Sequence, residues 1–215
     1  MPNWCCTNYE FYGTEQEIDK LEDFLDRSFA AWQTSDRNQP GSFDRWLGAL
    51  VMQVCSDRGI TDHEEIDKAI EWLSVRGEVS YIERPSDCAL EIDTETAWSP
   101  MHDVWDYVLE HLGIEDVSMS YYAEEPGVGI FEVSGKDGTC FEDFDYAVMS
   151  YIDSDEYKAW DIEGEDHIFS AKELEDFLRG ILCTSASLED MLSMVEDFEF
   201  DDDDSFFNVF KIEEA

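Results

Sequence analysis

Net charge is the property that most limits what this chain can fold into. It carries 54 Asp and Glu against 13 Lys and Arg, a formal charge of −41. The charge is unevenly placed: residues 1–84 hold 17 acids and 8 bases (−9), and residues 85–215 hold 37 acids and 5 bases (−32). No basic residue lies between Arg84 and Lys136. Charge of this size costs stability through self-repulsion, and it favours solubility and association with basic surfaces. It argues against direct binding of nucleic acid or of an anionic membrane, because both need a cationic surface. Adaptation to high salt and plain solubility charge are blander readings. Against the first stand 7 Trp, 14 Phe and 9 Tyr; against the second, a soluble small domain needs a magnitude of only about 2–8.

The stretch Phe141–Asp166 shows how acids and core residues are interleaved. At a period of two, Phe144, Tyr146, Val148 and Ile152 share one strand face, and the opposite face opens with Asp143 and Asp145. A second run sets Trp160 and Ile162 against Asp161, Glu163 and Glu165. The pattern predicts a sheet with one buried side and one acidic, exposed side, and that side is the expected working surface. Its expected members are Glu124, Glu125, Glu142, Asp143, Asp145, Asp153, Asp155, Glu156, Asp161, Glu163, Glu165, Asp166 and Asp201, Asp202, Asp203 and Asp204.

A chain of 215 residues with 43% hydrophobic content can bury a full core. Cys5, Cys6, Cys55, Cys88, Cys140 and Cys183 form no CxxC pair, and the N-terminus has neither a basic n-region nor an apolar h-region. No apolar run approaches the roughly 20 residues of a membrane span. The expectation is a cytoplasmic protein with reduced, mostly buried thiols and no cofactor or metal.

The predicted elements begin with a strand, Trp4–Tyr12, closed by Gly13, and a helix opened by the capping box Thr14/Glu17. Ser42 and Thr61 are the expected caps of two further helices, with Leu47, Leu50 and Val51 inward in the first and Ile66, Ile70 and Leu73 in the second. Strands are expected at Glu78–Glu83 and Cys88–Asp93, then a helix with Pro100 at its first position and Gly113 at its end. Strands at Val117–Tyr122 and Gly129–Val133 flank a turn at Glu124–Gly127, and Gly135–Gly138 forms another. Ser170 with Glu173 opens a helix, Ser187 opens the last one, Asp201–Asp204 is a solvated loop, and Phe206–Ile212 is a final strand. Strands and helices mix without regular βαβ alternation, which favours α+β.

Three blocks, Met1-Pro2-Asn3-Trp4-Cys5 with Gly13, Thr96-Ala97-Trp98-Ser99-Pro100, and Tyr122 with Glu124-Glu125-Pro126-Gly127, resemble the YubB-like, ferredoxin-like domain family of plasmids and phages. Thr7 stands where that family usually has Asn. The resemblance covers roughly half the chain by motif spacing. It implies a ferredoxin-like antiparallel sheet with helices on one face over residues 1–140, with a helical insert at about 30–76; residues 141–215 lie outside the matched blocks and are expected to form an acidic α+β extension packed on the same core. The resemblance implies a mobile-element origin and no particular chemistry. Trp4, Cys5 and Trp98 read as core or corner-packing residues, and Pro126-Gly127 as a turn.

Catalytic patterns fail on inspection. His63-Glu64-Glu65-Ile66-Asp67 lacks the second histidine of HExxH, and Gly135-Lys136 lacks both the first Gly and the Ser/Thr of a phosphate loop. Glu132 replaces a Gly of the dinucleotide fingerprint, and Phe206 and Phe207 interrupt a calcium loop begun by Asp202 and Asp204. The expected function is therefore a non-enzymatic anti-defence inhibitor. It would imitate nucleic acid and occupy the basic groove of a host nuclease complex, CRISPR-Cas or restriction. The −32 of residues 85–215 would match at most about 16 base pairs of phosphate. Two alternatives stand beside it: a regulatory protein masking another basic partner, and a hydrolase with an unrecognised carboxylate site.

Overall fold

Residues 3–39, 42–136, 138–162, 167–201 and 204–215 are described by the computed structural model. The alternation in Trp4–Tyr12 becomes strand β1, with Cys5, Thr7, Tyr9 and Phe11 buried and Trp4, Cys6, Asn8 and Tyr12 exposed. It is the centre of an α+β fold. The chain divides into two units, Met1–Ile130 and Phe131–Ala215.

In the first unit, β1 is followed by α1 (Glu15–Gln33), α2 (Gly48–Asp57), α3 (His63–Trp72), β2 (Glu78–Ser86), β3 (Ala89–Ala97), α4 (His102–Leu112) and β4 (Ser118–Glu125). The strands run in the order β2-β3-β1-β4, and each neighbouring pair is antiparallel. Tyr9, Phe11, Leu90 and Ile92 on the sheet meet Ile18, Leu21, Phe24 and Leu25 of α1 and Val104, Trp105 and Val108 of α4 in one core. Thr14 and Glu17 form the capping box that starts α1, and Gly113, with φ 60, ends α4 in the left-handed region.

The two helices between α1 and β2 are not surface additions. Leu47, Ala49, Leu50, Val51, Val54 and Cys55 are all buried, so α2 is part of the core itself. Three helix starts differ from the sequence expectation. Ser42 caps nothing helical: α2 begins after Leu47, which makes no side-chain cap bond, because Arg45–Leu47 is held instead as a bridge beside the start of β2. Asp62, not Thr61, caps α3 by accepting from the Glu64 N–H. Pro100 lies outside α4, which begins at His102 after Met101. The thiols are also less buried than expected, since only Cys5 and Cys55 are buried while Cys6, Cys140 and Cys183 are exposed.

The second unit contains β5 (Ile130–Ser134, whose first residue belongs to the first unit), β6 (Tyr146–Tyr151), a 3-10 turn (Lys158–Trp160), β7 (Ile168–Phe169), α5 (Ala171–Leu182), α6 (Leu188–Glu196), β8 (Phe206–Lys211) and β9 (Glu213–Glu214). β6 lies between β7 and β8, antiparallel to both. β5 pairs in parallel with β9 through Glu132↔Glu213 and Val133↔Glu214. Val148, Ile152, Trp160, Leu174, Leu178, Met191, Val195 and Phe207 make a separate core. Trp160 and Ile162 do not continue a strand, because Trp160 closes the 3-10 turn and packs face to face on Phe198 at 4.5 Å.

Gly77 adopts φ +111, and a Cβ there would overlap the Glu95 carbonyl oxygen of β3. Gly59 adopts φ +77 with open space around it. Gly77→Ala should therefore cost more than about 2 kcal/mol, and Gly59→Ala only about 1 kcal/mol. Denaturant unfolding of the two variants measures the difference, and equal losses would show that the approach of β3 is not limiting.

Candidate functional site

Strand alternation in the first unit buries one face of the sheet and leaves the other to carry acids. The register places residues on that outward face in three rows. Glu78, Glu95, Cys6 and Glu124 form the first; Tyr81, Asp93, Asn8 and Tyr122 the second; Glu83, Glu91, Glu10 and Ser120 the third. No lysine or arginine occupies any of these positions. The central row is tied by polar bonds: Asn8 Nδ2 donates to Asp93 Oδ1 at 2.7 Å, Tyr81 O–H to Glu83 at 2.6 Å and Tyr122 O–H to Glu124 at 2.9 Å. Tyr122 and Ser120 are themselves buried, so the open part of the face lies mainly on β1, β2 and β3.

Like charges sit directly opposite one another at Glu78↔Glu95, Glu83↔Glu91 and Glu10↔Glu91. Such pairs destabilise a sheet. Partial burial, then Glu10, Glu83 and Asp93, push the Glu91 carboxyl above the usual carboxylate range. Glu78 moves the same way, through burial first and then Glu95 and Asp44. The Cys6 thiol is raised by burial and by Glu124, Glu95 and Asp93. Arg45 opposes part of the shift at Glu78, whereas the charged neighbours that act on Glu91 and Cys6 are all negative.

This face was missed in the sequence, although Glu91, Asp93 and Glu95 alternate with Leu90, Ile92 and Thr94 as clearly as any acids in the chain. Of the expected surface acids, Glu124 alone belongs to it. Glu125 is a correction: it is 2% exposed, and its carboxylate accepts from the Gly127 and Val128 N–H groups. It closes the turn at 126–129 and does not face solvent. A Cβ on Gly127 would overlap the Asn3 side-chain amide, so Asn3, Glu125 and Gly127 pack as one corner.

In the second unit, Asp145 is a structural anchor. Lys136 Nζ donates to it at 2.6 Å and the Ala171 N–H at 2.8 Å, at the start of α5. Burial opposes these bonds, but Lys136, Ala171 and Lys211 together hold its carboxyl below the usual range. Asp161 is half-buried and paired with Lys158. Glu142, Asp143, Asp153, Asp155, Glu156, Asp201 and Asp204 are exposed. Several of these converge: Tyr157 O–H donates to Asp201, the Tyr157 hydroxyl is raised by burial, Asp201 and Glu156, and the Asp153 N–H donates to Ser205. The loops after β6 and before β8 thus form a second acidic cluster. Glu163, Glu165, Asp166, Asp202 and Asp203 lie outside the described residues.

Counted by unit, the charge is nearly equal: 28 acids and 8 bases give −20 in residues 1–130, and 26 acids and 5 bases give −21 in residues 131–215. Trp4 and Trp98 are not core residues; they are 41% and 46% exposed, whereas Cys5 is fully buried. Trp4 has the outward parity of β1, and Trp98 leaves β3 with φ 77. Pro100 is half-buried ahead of α4, and the Gly13 N–H donates to the Cys88 carbonyl at 3.0 Å. Among the described residues, no group of three or more His, Cys, Asp and Glu is arranged to hold a metal ion.

No family model matches the chain. No curated protein matches it. Among solved structures it is similar to the crystal structure of a protein api92 from Yersinia pseudotuberculosis, of family DUF1281, at 9% identity over 62% of this chain and 93% of that one, with a TM-score of 0.31. A likeness of that size says nothing about this chain's activity.

The two kinds of carboxylate give opposite responses to acid. Glu91 has a raised folded-state pKa, so its repulsion is present at neutral pH and relieved as pH falls through that value. Glu91→Gln should raise Tm by about 1–2 °C at pH 7, with the gain gone near pH 4. Asp145 has a depressed folded-state pKa, so its stabilisation is present above the unfolded value of about 3.9 and lost as pH falls below it. Asp145→Asn should cost about 1 kcal/mol at pH 7, a figure discounted because the carboxylate is partly solvated, with the difference closing only below about pH 4. Thermal melts of both variants from about pH 2 to pH 7 check the two signs.

Proposed function

We propose that this protein is a non-enzymatic inhibitor that imitates nucleic acid and occupies the basic groove of a host nuclease complex, acting against a defence system in the cytoplasm of a bacterial cell. The row geometry of the outward sheet face carries this reading. Neighbouring strands lie about 4.8 Å apart, and alternate residues along a strand about 6.8 Å apart. Glu78, Glu95 and Glu124 in one row and Glu83, Glu91 and Glu10 in another therefore form two lines of carboxylates about 13–14 Å apart. The major groove of B-DNA, about 12 Å wide, is of the same order.

The density also fits. With Asp93, seven carboxylates (Glu10, Glu78, Glu83, Glu91, Asp93, Glu95 and Glu124) occupy a patch about 14 Å on a side. A duplex offers about eight phosphates over the same length of axis. The first unit's order β1-α1-β2-β3-α4-β4, with α2 and α3 inserted between α1 and β2, and its strand order suit a ferredoxin-like domain whose outward face is the binding surface. A mobile-element origin, implied by the YubB-like motifs, gives a reason to block a nuclease.

A second reading is masking of a basic protein that has no nucleic-acid groove. The acidic loops of the second unit favour it, since Glu156 and Asp201 gather around Tyr157 without any row spacing.

The test is capture of the partner from host lysate, followed by competition with duplex DNA. A mimic should be displaced by DNA, and its affinity should fall at least tenfold between 50 and 200 mM salt. Reversing Glu91, Asp93 and Glu95 to Lys on the central strand should lower affinity a hundredfold or more while the protein remains folded, because the new charges relieve repulsion. Simultaneous binding of the partner to DNA and to this protein would sink the mimic reading.

A further inference from the structure

Two tryptophans stand open to solvent where the first row of carboxylates ends. Trp4 is the next outward residue of β1 beyond Cys6, and lies opposite Ala97 of β3. Trp98 directly follows β3, and its N–H donates to the Asn3 carbonyl at 3.0 Å. They are 41% and 46% exposed; Trp72 of α3 is 76% exposed, and Trp32, Trp105 and Trp160 are buried. Neither is loose. Phe43 holds the Trp4 ring edge-on at 6.1 Å, and the Phe43 carbonyl accepts from Trp32 Nε1 at 2.9 Å. Trp98 keeps φ 77, a conformation that costs a non-glycine residue about 1–2 kcal/mol. A glycine would sit there without strain, so local backbone preference does not explain an indole at this point.

Exposed indoles beside two carboxylates that stand directly opposite one another suit one chemical group above others. A guanidinium is planar, weakly hydrated and always charged; it stacks on an aromatic face and donates in its own plane to carboxylates. An ammonium is compact and strongly hydrated, and gains less from the ring. We infer that Trp4 and Trp98 form an anchor for an arginine side chain of a basic protein partner, with Glu78 and Glu95 of the adjoining row receiving its N–H groups. The occupant is specified by charge complementarity: an arginine-bearing protein surface. The anchor rests on the acidic-face reading and adds to it, because rows of carboxylate alone attract lysine and arginine alike.

The probes are an arginine decapeptide and a lysine decapeptide, titrated calorimetrically into the full chain at 0.15 M salt. The arginine peptide should bind about 3- to 10-fold tighter. Trp4→Ala and Trp98→Gly should each reduce that ratio towards 1 and leave lysine-peptide affinity unchanged. Trp98→Gly suits the left-handed backbone, and Trp4→Phe keeps a ring against Phe43; Trp4→Phe should retain part of the preference. The indole N–H resonances of Trp4 and Trp98 should shift with the arginine peptide in the wild type. Equal binding of the two peptides, or a preference that survives both Trp4→Ala and Trp98→Gly, overturns the anchor. The underlying acidic-face reading fails separately, if reversal of Glu91, Asp93 and Glu95 to Lys leaves both affinities unchanged.

Discussion

Repulsion across the strand register is tolerated only because the reverse side of the same strands is so strongly apolar. Tyr9 and Phe11 pack on Trp105 with ring centroids 5.5 and 5.3 Å away, beside Leu90 and Ile92. Each outward carboxylate of β3 is thus coupled to an inward residue one position away. A slip of one residue would exchange the two sets and drive Glu91, Asp93 and Glu95 into the core. The acids therefore help to fix the register that sets them against one another. Cost and specificity have the same source.

The few cations are used elsewhere. Arg84 bonds Asp19 and Glu22 at 2.7 Å each, joining the end of β2 to α1. Arg27 and His111 share Asp57 at the end of α2, and Arg37 pairs with Asp67 of α3. Lys20 donates to the Leu112 carbonyl, the last turn of α4, where a cation also suits the helix dipole. In the second unit Lys136 fastens Asp145. Positive charge works as a set of ties between elements, and no lysine or arginine stands at an outward position of the three rows.

Local chemistry was the legible part of the sequence. The Thr14/Glu17 and Ser170/Glu173 boxes, the Ser187 cap and the Gly113 stop depend on residues a few positions apart, and each stands where its pattern put it. Strand β1 follows from its alternation alone. What depends on pairing was not legible. Trp160 and Ile162 alternate with acids like a strand, yet the aromatic cluster around Phe198 and Phe207 holds Trp160 in a 3-10 turn. Glu125 looks like its neighbour Glu124, and only the turn's free N–H groups bury it. The acidic face needed three registers at once: Glu10, Glu83 and Glu91 are far apart in the chain and adjacent in the sheet.

Cys6 gives the face a chemical property of its own. Electrophiles and oxidants react with thiolate, not thiol, and this sulfur is held in the thiol form by partial burial and by Glu124, Glu95 and Asp93. A cysteine at the middle of an exposed surface would ordinarily be its weak point, open to oxidation or to adduct formation that would deface the site. Here the field that gives the surface its character also keeps its one sulfur quiet. Labels aimed at cysteine should reach Cys140 and Cys183 first, leaving the acidic face unmodified while the rest of the molecule is tagged.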